Sequence, residues 1–278
     1  MTTQRLGVLT LCVFTAAGLA LAGCARMAPR AATGADAGAG DAAGAPAASQ
    51  AASGAPVSAA ARAALVASVK HMGNTIYRFT GGQNDLTTRG HADPVHKSAS
   101  LAAQGTMQGV PFTQEVIAIG TDYWVRINMG AKANKAVGVV PGKWMHVDAR
   151  KLGNAANLPF DLAGGDVLDL AGLLNAVSQA QQTDATTYSG VVDMTATAGV
   201  SAMTQDNLDK LGAKAKAMPF TATLDNQGRL TDFIVDAAAV DKALGARFSF
   251  TNFGVAFPIN KPRNTVEAPP GVYALFRN

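Results

Sequence analysis

Four residues near the N-terminus, Leu21-Ala22-Gly23-Cys24, have the pattern of a bacterial lipobox, in which the chain is cut before the cysteine and the thiol is acylated. They follow Arg5 and an apolar stretch from Leu6 to Leu21, which is the composition of an export signal. The stretch is short for a membrane span, which needs about 20 apolar residues. We therefore predict that Cys24 carries fatty acyl groups such as palmitate and attaches the chain to the outer face of the cell membrane. An ordinary signal peptide or an N-terminal anchor helix is the alternative interpretation.

Two further groups of residues could bind a metal ion or catalyse a reaction. The segment from His91 to His96 (HADPVH) places two imidazoles and one carboxylate within six residues, and zinc accepts such ligands. Its proline favours an exposed hairpin loop, and no cysteine or nearby glutamate completes the set. His146 shares a strand face with Trp144 and Asp148, but the chain has no nucleophile motif such as G-x-S-x-G. We expect no metal site, no catalytic residue and no enzyme; a hydrolase would need a clustered His/Asp site in an open cleft.

Charge and cysteine content limit the partners of the chain. The formal net charge is +4 over 278 residues, and acidic and basic residues are interspersed, which argues against a nucleic-acid partner. The only other cysteine, Cys12, lies in the signal segment, so the mature chain has no thiol pair. We expect a monomer without a cofactor, attached to the membrane through acylated Cys24.

Composition divides the chain into three segments. Residues 1–23 form the signal peptide. Residues 24–56 begin with the lipidated cysteine and consist mainly of Ala, Gly, Ser and Pro, which is typical of a flexible tether. Residues 57–278 are long enough to form one domain with a substantial hydrophobic core. The tether would hold this domain near the bilayer.

Hydrophobic periodicity predicts a domain with many strands and few helices. Helices are predicted at Ser58–Met72, Asp166–Gln181 and Met203–Lys216. Strands are predicted at Thr75–Thr80, Ser98–Gln108, Val110–Ile119, Asp122–Met129, Lys143–Asp148, Thr186–Ala196, Pro219–Leu224, Leu230–Asp236 and Arg247–Asn252. Successive strands joined by short turns favour an α+β fold, with one curved antiparallel sheet and helices packed on one of its faces.

Strand alternation assigns one apolar face to this sheet. Phe220 and Leu224 point to one side of their strand, whereas Thr221 and Thr223 point to the other. Small residues, such as Ala222, also occur on the apolar face. Small residues at such positions either let helices pack closely or leave room for an apolar ligand. Because protein interiors are normally well packed, close helix packing is the default explanation.

Ten short segments of the chain, spread over the signal and over residues 60 to 275, share their order and spacing with one family of lipoproteins. They are Leu21-Ala-Gly-Cys24, Tyr77-Arg-Phe-Thr80, Ala102-Ala-Gln-Gly-Thr-Met107, Tyr123-Trp-Val-Arg126, Lys143-Trp-Met145, Tyr188-Ser-Gly-Val-Val-Asp193, Pro219-Phe-Thr-Ala-Thr-Leu-Asp225, Gly228-Arg-Leu230, Phe253-Gly254 and Glu267-Ala-Pro-Pro270. Together they resemble the actinobacterial family of LppX, LprA, LprF and LprG, whose fold is similar to that of LolA and LolB.

The resemblance implies an antiparallel half-barrel whose concave face is covered by helices over an apolar cavity. It also implies that the protein binds a lipid or acylated glycolipid and carries it within the cell envelope, with a membrane transporter as a possible partner. The alternative is an interaction or regulatory module of the envelope, with the same fold and a filled cavity. Candidate ligand-binding residues are Phe112, Val125, Ile127, Leu170, Leu173, Leu174, Met194, Phe220, Leu224, Phe233, Val235, Phe248 and Phe250.

Overall fold

The computed structural model describes residues 59–83, 86–107, 109–153, 158–197, 205–241 and 244–277. The predicted signal peptide, Cys24 and the tether lie outside these residues. No helix in the described ranges is long and apolar enough to cross a membrane.

The described residues form an α+β fold with one large sheet. The strands are Tyr77–Gln83 (β1), Leu86–Asp93 (β2), Ser98–Met107 (β3), Val110–Ile119 (β4), Asp122–Asn128 (β5), Trp144–Asp148 (β6), Val177–Gln182 (β7), Thr187–Val192 (β8), Met218–Leu224 (β9), Leu230–Val235 (β10), Ala246–Thr251 (β11) and Thr265–Glu267 (β12). The helices are Ala59–Met72 (α1), Ala131–Val137 (α2), Leu170–Asn175 (α3), Gln205–Leu211 (α4) and Pro270–Ala274 (α5).

Two antiparallel meanders make up most of the sheet. Strands β1 to β6 follow one another in space as in sequence, and so do β7 to β11. The meanders join where β1 pairs with β11, with Thr80 opposite Ser249. At the far edge β12 pairs in parallel with β6. The sheet is thus open and mostly antiparallel, which confirms the predicted α+β class with one antiparallel sheet.

The two faces of the sheet differ in polarity. The inner face, defined here by Tyr77, Phe79 and Phe250, is buried together with apolar residues of α1 and α3 in one continuous core. The outer face carries many polar and charged side chains, such as Arg78 on β1, which alternate with the buried residues of their strand. An antiparallel sheet that is covered on one side has this pattern.

The predicted helix Asp166–Gln181 is wrong over most of its length. Only Leu170–Asn175 is helical, and Val177–Gln182 forms strand β7, paired with β8. Pairing with β8 overrides the helical propensity of β7 residues such as Ala180 and Gln181, which are both good helix formers. The predicted helix Met203–Lys216 ends early, at Leu211, because a 3₁₀ helix begins at Gly212; residues 203 and 204 lie outside the described ranges.

The histidine segment is not the simple loop that was predicted from its proline. His91 lies in β2, whose eight residues had no predicted strand, and the turn begins only after Asp93. There the Asp93 carboxylate accepts hydrogen bonds from the backbone N–H of His96, at 3.0 Å, and from its imidazole Nδ1, at 2.7 Å. His91 instead approaches Ser100 Oγ at 3.3 Å. The two imidazoles therefore have separate partners.

Residues 252–264 link β11 to β12 and cross the outer face of β1 to β5; we call this segment the C-terminal strap. The ring of Phe257 lies 4.2 Å from the His91 ring on β2, and Lys261 Nζ lies 5.7 Å from the centre of the Trp124 ring on β5. The strap was not predicted. Side-chain contacts with aromatic rings therefore help to hold it against the sheet.

Candidate lipid-binding interior

The thirteen residues predicted to line a ligand cavity are all buried in the core on the inner face. Their exposed fractions range from 0% for Phe233 to 8% for Phe248. The strands β4, β5, β9, β10 and β11 supply nine of them, α3 supplies three, and Met194 comes from the 3₁₀ turn after β8. The nine strand residues are Phe112, Val125, Ile127, Phe220, Leu224, Phe233, Val235, Phe248 and Phe250. The fold thus brings the predicted residues into a single apolar cluster.

Aromatic rings occupy the centre of the C-terminal meander. Phe220 on β9 and Phe233 on β10 stack with their ring centres 4.9 Å apart and their planes 8° from parallel. Phe233 lies opposite Phe248 on β11, and Phe250 packs edge-on against Tyr77 at 6.0 Å. This part of the inner face offers a large apolar surface.

Small residues occupy much of the inner face of the N-terminal meander. Ala92, Ala99 and Ala118 are opposite one another on β2, β3 and β4 and are fully buried. Phe79 lies over Gly90 on the neighbouring strand, since a Cβ added to Gly90 would stand 2.4 Å from the tip of the ring. None of these residues was predicted as part of the interior. Their alternation could have been found, but alanine and glycine give little hydrophobic contrast.

Residues 158–169, which precede α3, pack against part of this inner face. The Tyr123 hydroxyl on β5 donates a hydrogen bond of 2.9 Å to the backbone carbonyl of Phe160, and both side chains are buried. Burial, with a smaller contribution from Asp161, raises the pKa of the Tyr123 hydroxyl, so it stays protonated as a donor. The bond fixes the covering segment to the sheet.

Asp166 positions the leucines of α3. Its carboxylate accepts hydrogen bonds from the backbone N–H groups of Leu170, at 2.9 Å, and Ala171, at 2.7 Å, at the start of the helix. Burial raises the pKa of this carboxyl, and the two backbone hydrogen bonds act in the opposite direction. Burial also raises the pKa of Tyr77, and the charge of Asp166 adds to that shift. The carboxylate satisfies helix donors that would otherwise be buried without partners.

Asp166→Ala is expected to lower the free energy of unfolding by about 1 to 2 kcal/mol, because two N–H groups at the start of α3 lose their acceptor. Urea unfolding measures the change. Asp166→Asn keeps one acceptor oxygen and buries no charge, so it should lose less. Equal stability of Asp166→Ala and the unaltered chain would contradict the capping role.

Polar groups also gather at the sheet edge formed by β5, β6 and β12. His146 contacts Asp122 Oδ1 at 2.6 Å and Glu267 Oε2 at 3.2 Å, and Lys151 pairs with the same glutamate at 3.0 Å. Lys151 and then His146 lower the pKa of Glu267. Asp148 pairs with Arg150 rather than with His146. These contacts join β12 to the sheet, and the described residues contain no group of three or more His, Cys, Asp or Glu placed for a metal.

The described interior therefore presents a mainly apolar surface. Two of its polar groups, the Tyr123 hydroxyl and the Asp166 carboxylate, form hydrogen bonds with the backbone. Comparison of the chain with protein-family models and with curated proteins gives no match.

Proposed function

We propose that this protein is a membrane-anchored lipoprotein that binds a lipid or acylated glycolipid in the interior of its sheet and carries it within the cell envelope. In this proposal the sheet is a curved half-barrel of the LolA type, closed by α1, α3 and the chain before α3. Acylated Cys24 and the tether keep the opening near the donor membrane, and a membrane transporter is a candidate partner.

The observation that carries the proposal is the apolar inner face. Residues on adjacent strands, such as Phe233 and Phe248, form a continuous hydrophobic surface that only apolar groups can contact favourably. Each methylene group that leaves water gains about 0.8 kcal/mol. An acyl chain of ordinary length would thus gain enough free energy to cross an aqueous gap as a bound monomer.

The first test is mass spectrometry of lipids extracted from the full chain, purified in a mild detergent from a host that makes envelope glycolipids. We expect an acylated molecule bound at close to one per chain. Ala222→Phe, which enlarges a fully buried residue opposite Phe233, should reduce that amount several-fold.

Thr221→Phe is the matched control, because Thr221 precedes Ala222 on the same strand and is exposed on the outer face. It should retain the bound lipid. Circular dichroism establishes that both variants are folded. A folded chain that contains no lipid beyond its own acyl groups and takes up no fluorescent fatty acid would contradict the proposal.

The close burial of the interior supports a second candidate function. Val125, Leu173 and Phe233 are 0% exposed, so their own neighbours cover them. A filled interior would suit an envelope interaction or regulatory module that does not transport lipid. If the extraction experiment finds no bound lipid in the folded chain, that result would favour this module.

A further inference from the structure

The outer face of the N-terminal meander contains a groove, formed by two adjoining hollows of about 440 and 450 Å³. The hollows share Thr80, Arg89, Ala102 and Glu115, which lie side by side on β1 to β4. The groove exists because Ala102 is short while Arg89 and Glu115 on the neighbouring strands are long. It is separate from the interior, since its side chains project from the opposite face of the sheet.

Arg89 gives this groove a positive charge that nothing in the described structure neutralises. It is exposed on β2, and no described carboxylate forms an ion pair with it. Glu115 is the only carboxylate among the residues that line the two hollows, and it is already paired with Arg126 from β5. The guanidinium of Arg89 is thus available for an anion.

A second arginine is held in place at the same groove. Arg78 Nε donates a hydrogen bond of 3.3 Å to His91 Nε2, and its guanidinium lies 5.3 Å from the centre of the Phe257 ring on the strap. Its terminal nitrogens have no partner among the described residues. Burial and the neighbouring Arg78 charge lower the pKa of His91, which keeps the imidazole neutral as an acceptor. This arginine is oriented before any ligand arrives.

The two arginines are close enough to act on one anion. Arg78 lies opposite His91 and Arg89 lies opposite Thr80, so the arginines are diagonal neighbours on β1 and β2. The Cα atoms of such neighbours lie about 7 to 8 Å apart, within reach of two long side chains that converge on one group. The hydroxyls of Thr80 and Ser100 line the same hollow as further donors.

We propose that this groove binds the phosphate group of an organic phosphate. Arginine presents paired N–H donors in a geometry that matches phosphate oxygens, and an arginine without a carboxylate partner is free to use them. Ile117 and the Trp144 indole line one end of the groove and provide an apolar contact for the organic part of the ligand. The ligand is either a soluble phosphate or the headgroup of an anionic phospholipid.

Calorimetric titration of the full chain in a nonionic detergent tests this proposal with two lipid-free probes. Inorganic phosphate represents the soluble source, and glycerophosphoglycerol, the deacylated headgroup of phosphatidylglycerol, represents the membrane source. Tighter binding of glycerophosphoglycerol would assign the groove to a lipid headgroup. Tighter binding of inorganic phosphate would assign it to a soluble phosphate. Both affinities should fall as salt is added, because ions screen exposed charges.

Arg89→Gln should weaken binding of the preferred probe about ten-fold or more, because it removes a charge-assisted contact. Arg89→Lys keeps the charge without the paired donors and should weaken binding less. Lys132→Gln removes an exposed cation from α2, outside the groove, and should leave the affinity unchanged. Failure of the unaltered chain to bind either probe, or equal affinities for Arg89→Gln and Lys132→Gln, would overturn the proposal. Neither result bears on lipid in the interior, which the extraction experiment measures separately.

Discussion

Phe233→Ala is expected to lower the free energy of unfolding by about 3 to 5 kcal/mol, the usual cost of removing a buried phenylalanine ring. Phe233 is 0% exposed and stacks on Phe220 at 4.9 Å. The two rings lie on neighbouring strands. The backbone hydrogen bonds between these strands prevent the sheet from collapsing into the cavity that the missing ring leaves. Urea unfolding followed by fluorescence of the two tryptophans measures the change.

The matched control is Ile234→Ala, at the next residue of β10 on the opposite face, where the side chain is only half-buried. It should cost much less than Phe233→Ala. If both substitutions had the same effect, the inner face would not be the centre of the core, and the assignment of the two faces would be wrong.

Gly90→Ala is expected to destabilise the fold by about 3 kcal/mol or more, at the upper end of the usual cost of overpacking. A Cβ at this position would stand 2.0 Å from the backbone oxygen of Ser100 on β3 and 2.4 Å from Cζ of Phe79 on β1. The Phe79 ring could rotate, but the oxygen belongs to the paired strand. The overlap between the added Cβ and the Ser100 oxygen could therefore be relieved only if β2 and β3 moved apart. The midpoint of urea unfolding should fall accordingly.

Gly109→Ala is the control, because a Cβ there would meet no atom within 4 Å and only the positive φ of +77° opposes it. Strain of this kind costs about 1 to 2 kcal/mol. If Gly90→Ala were no more destabilising than this control, the close approach of β2 and β3 would be refuted.

The strands with strong alternation of large apolar and polar residues could be predicted from the sequence. Val110–Ile119 was predicted with the bounds that the structure has, and Pro219–Leu224 to within one residue. Strand β2 could not, because its inner residues include Gly90 and Ala92, which give no amphipathic signal. Strand β12 depends on parallel pairing with β6, far along the chain, which periodicity does not encode.

The interior could be predicted where it consists of large side chains. Phe220, Phe233 and Phe248 alternate with polar residues along their strands, and the leucines of α3 were found although the predicted helix was too long. The groove at Arg89 could not be found. It depends on cross-strand register, which places Thr80, Arg89, Ala102 and Glu115 in one row, and on the strap that holds Phe257 over Arg78.

The junction of β1 with β11 has a consequence for the rate of folding. Hairpins within each meander close short loops, whereas pairing of Thr80 with Ser249 must bring together residues from the two ends of the domain. The entropy lost on closing a loop rises with its length, and proteins dominated by such distant contacts fold slowly. Each meander can form its local pairs first, but the apolar face is complete only when β1 and β11 meet. Until then both strands expose an edge to other chains.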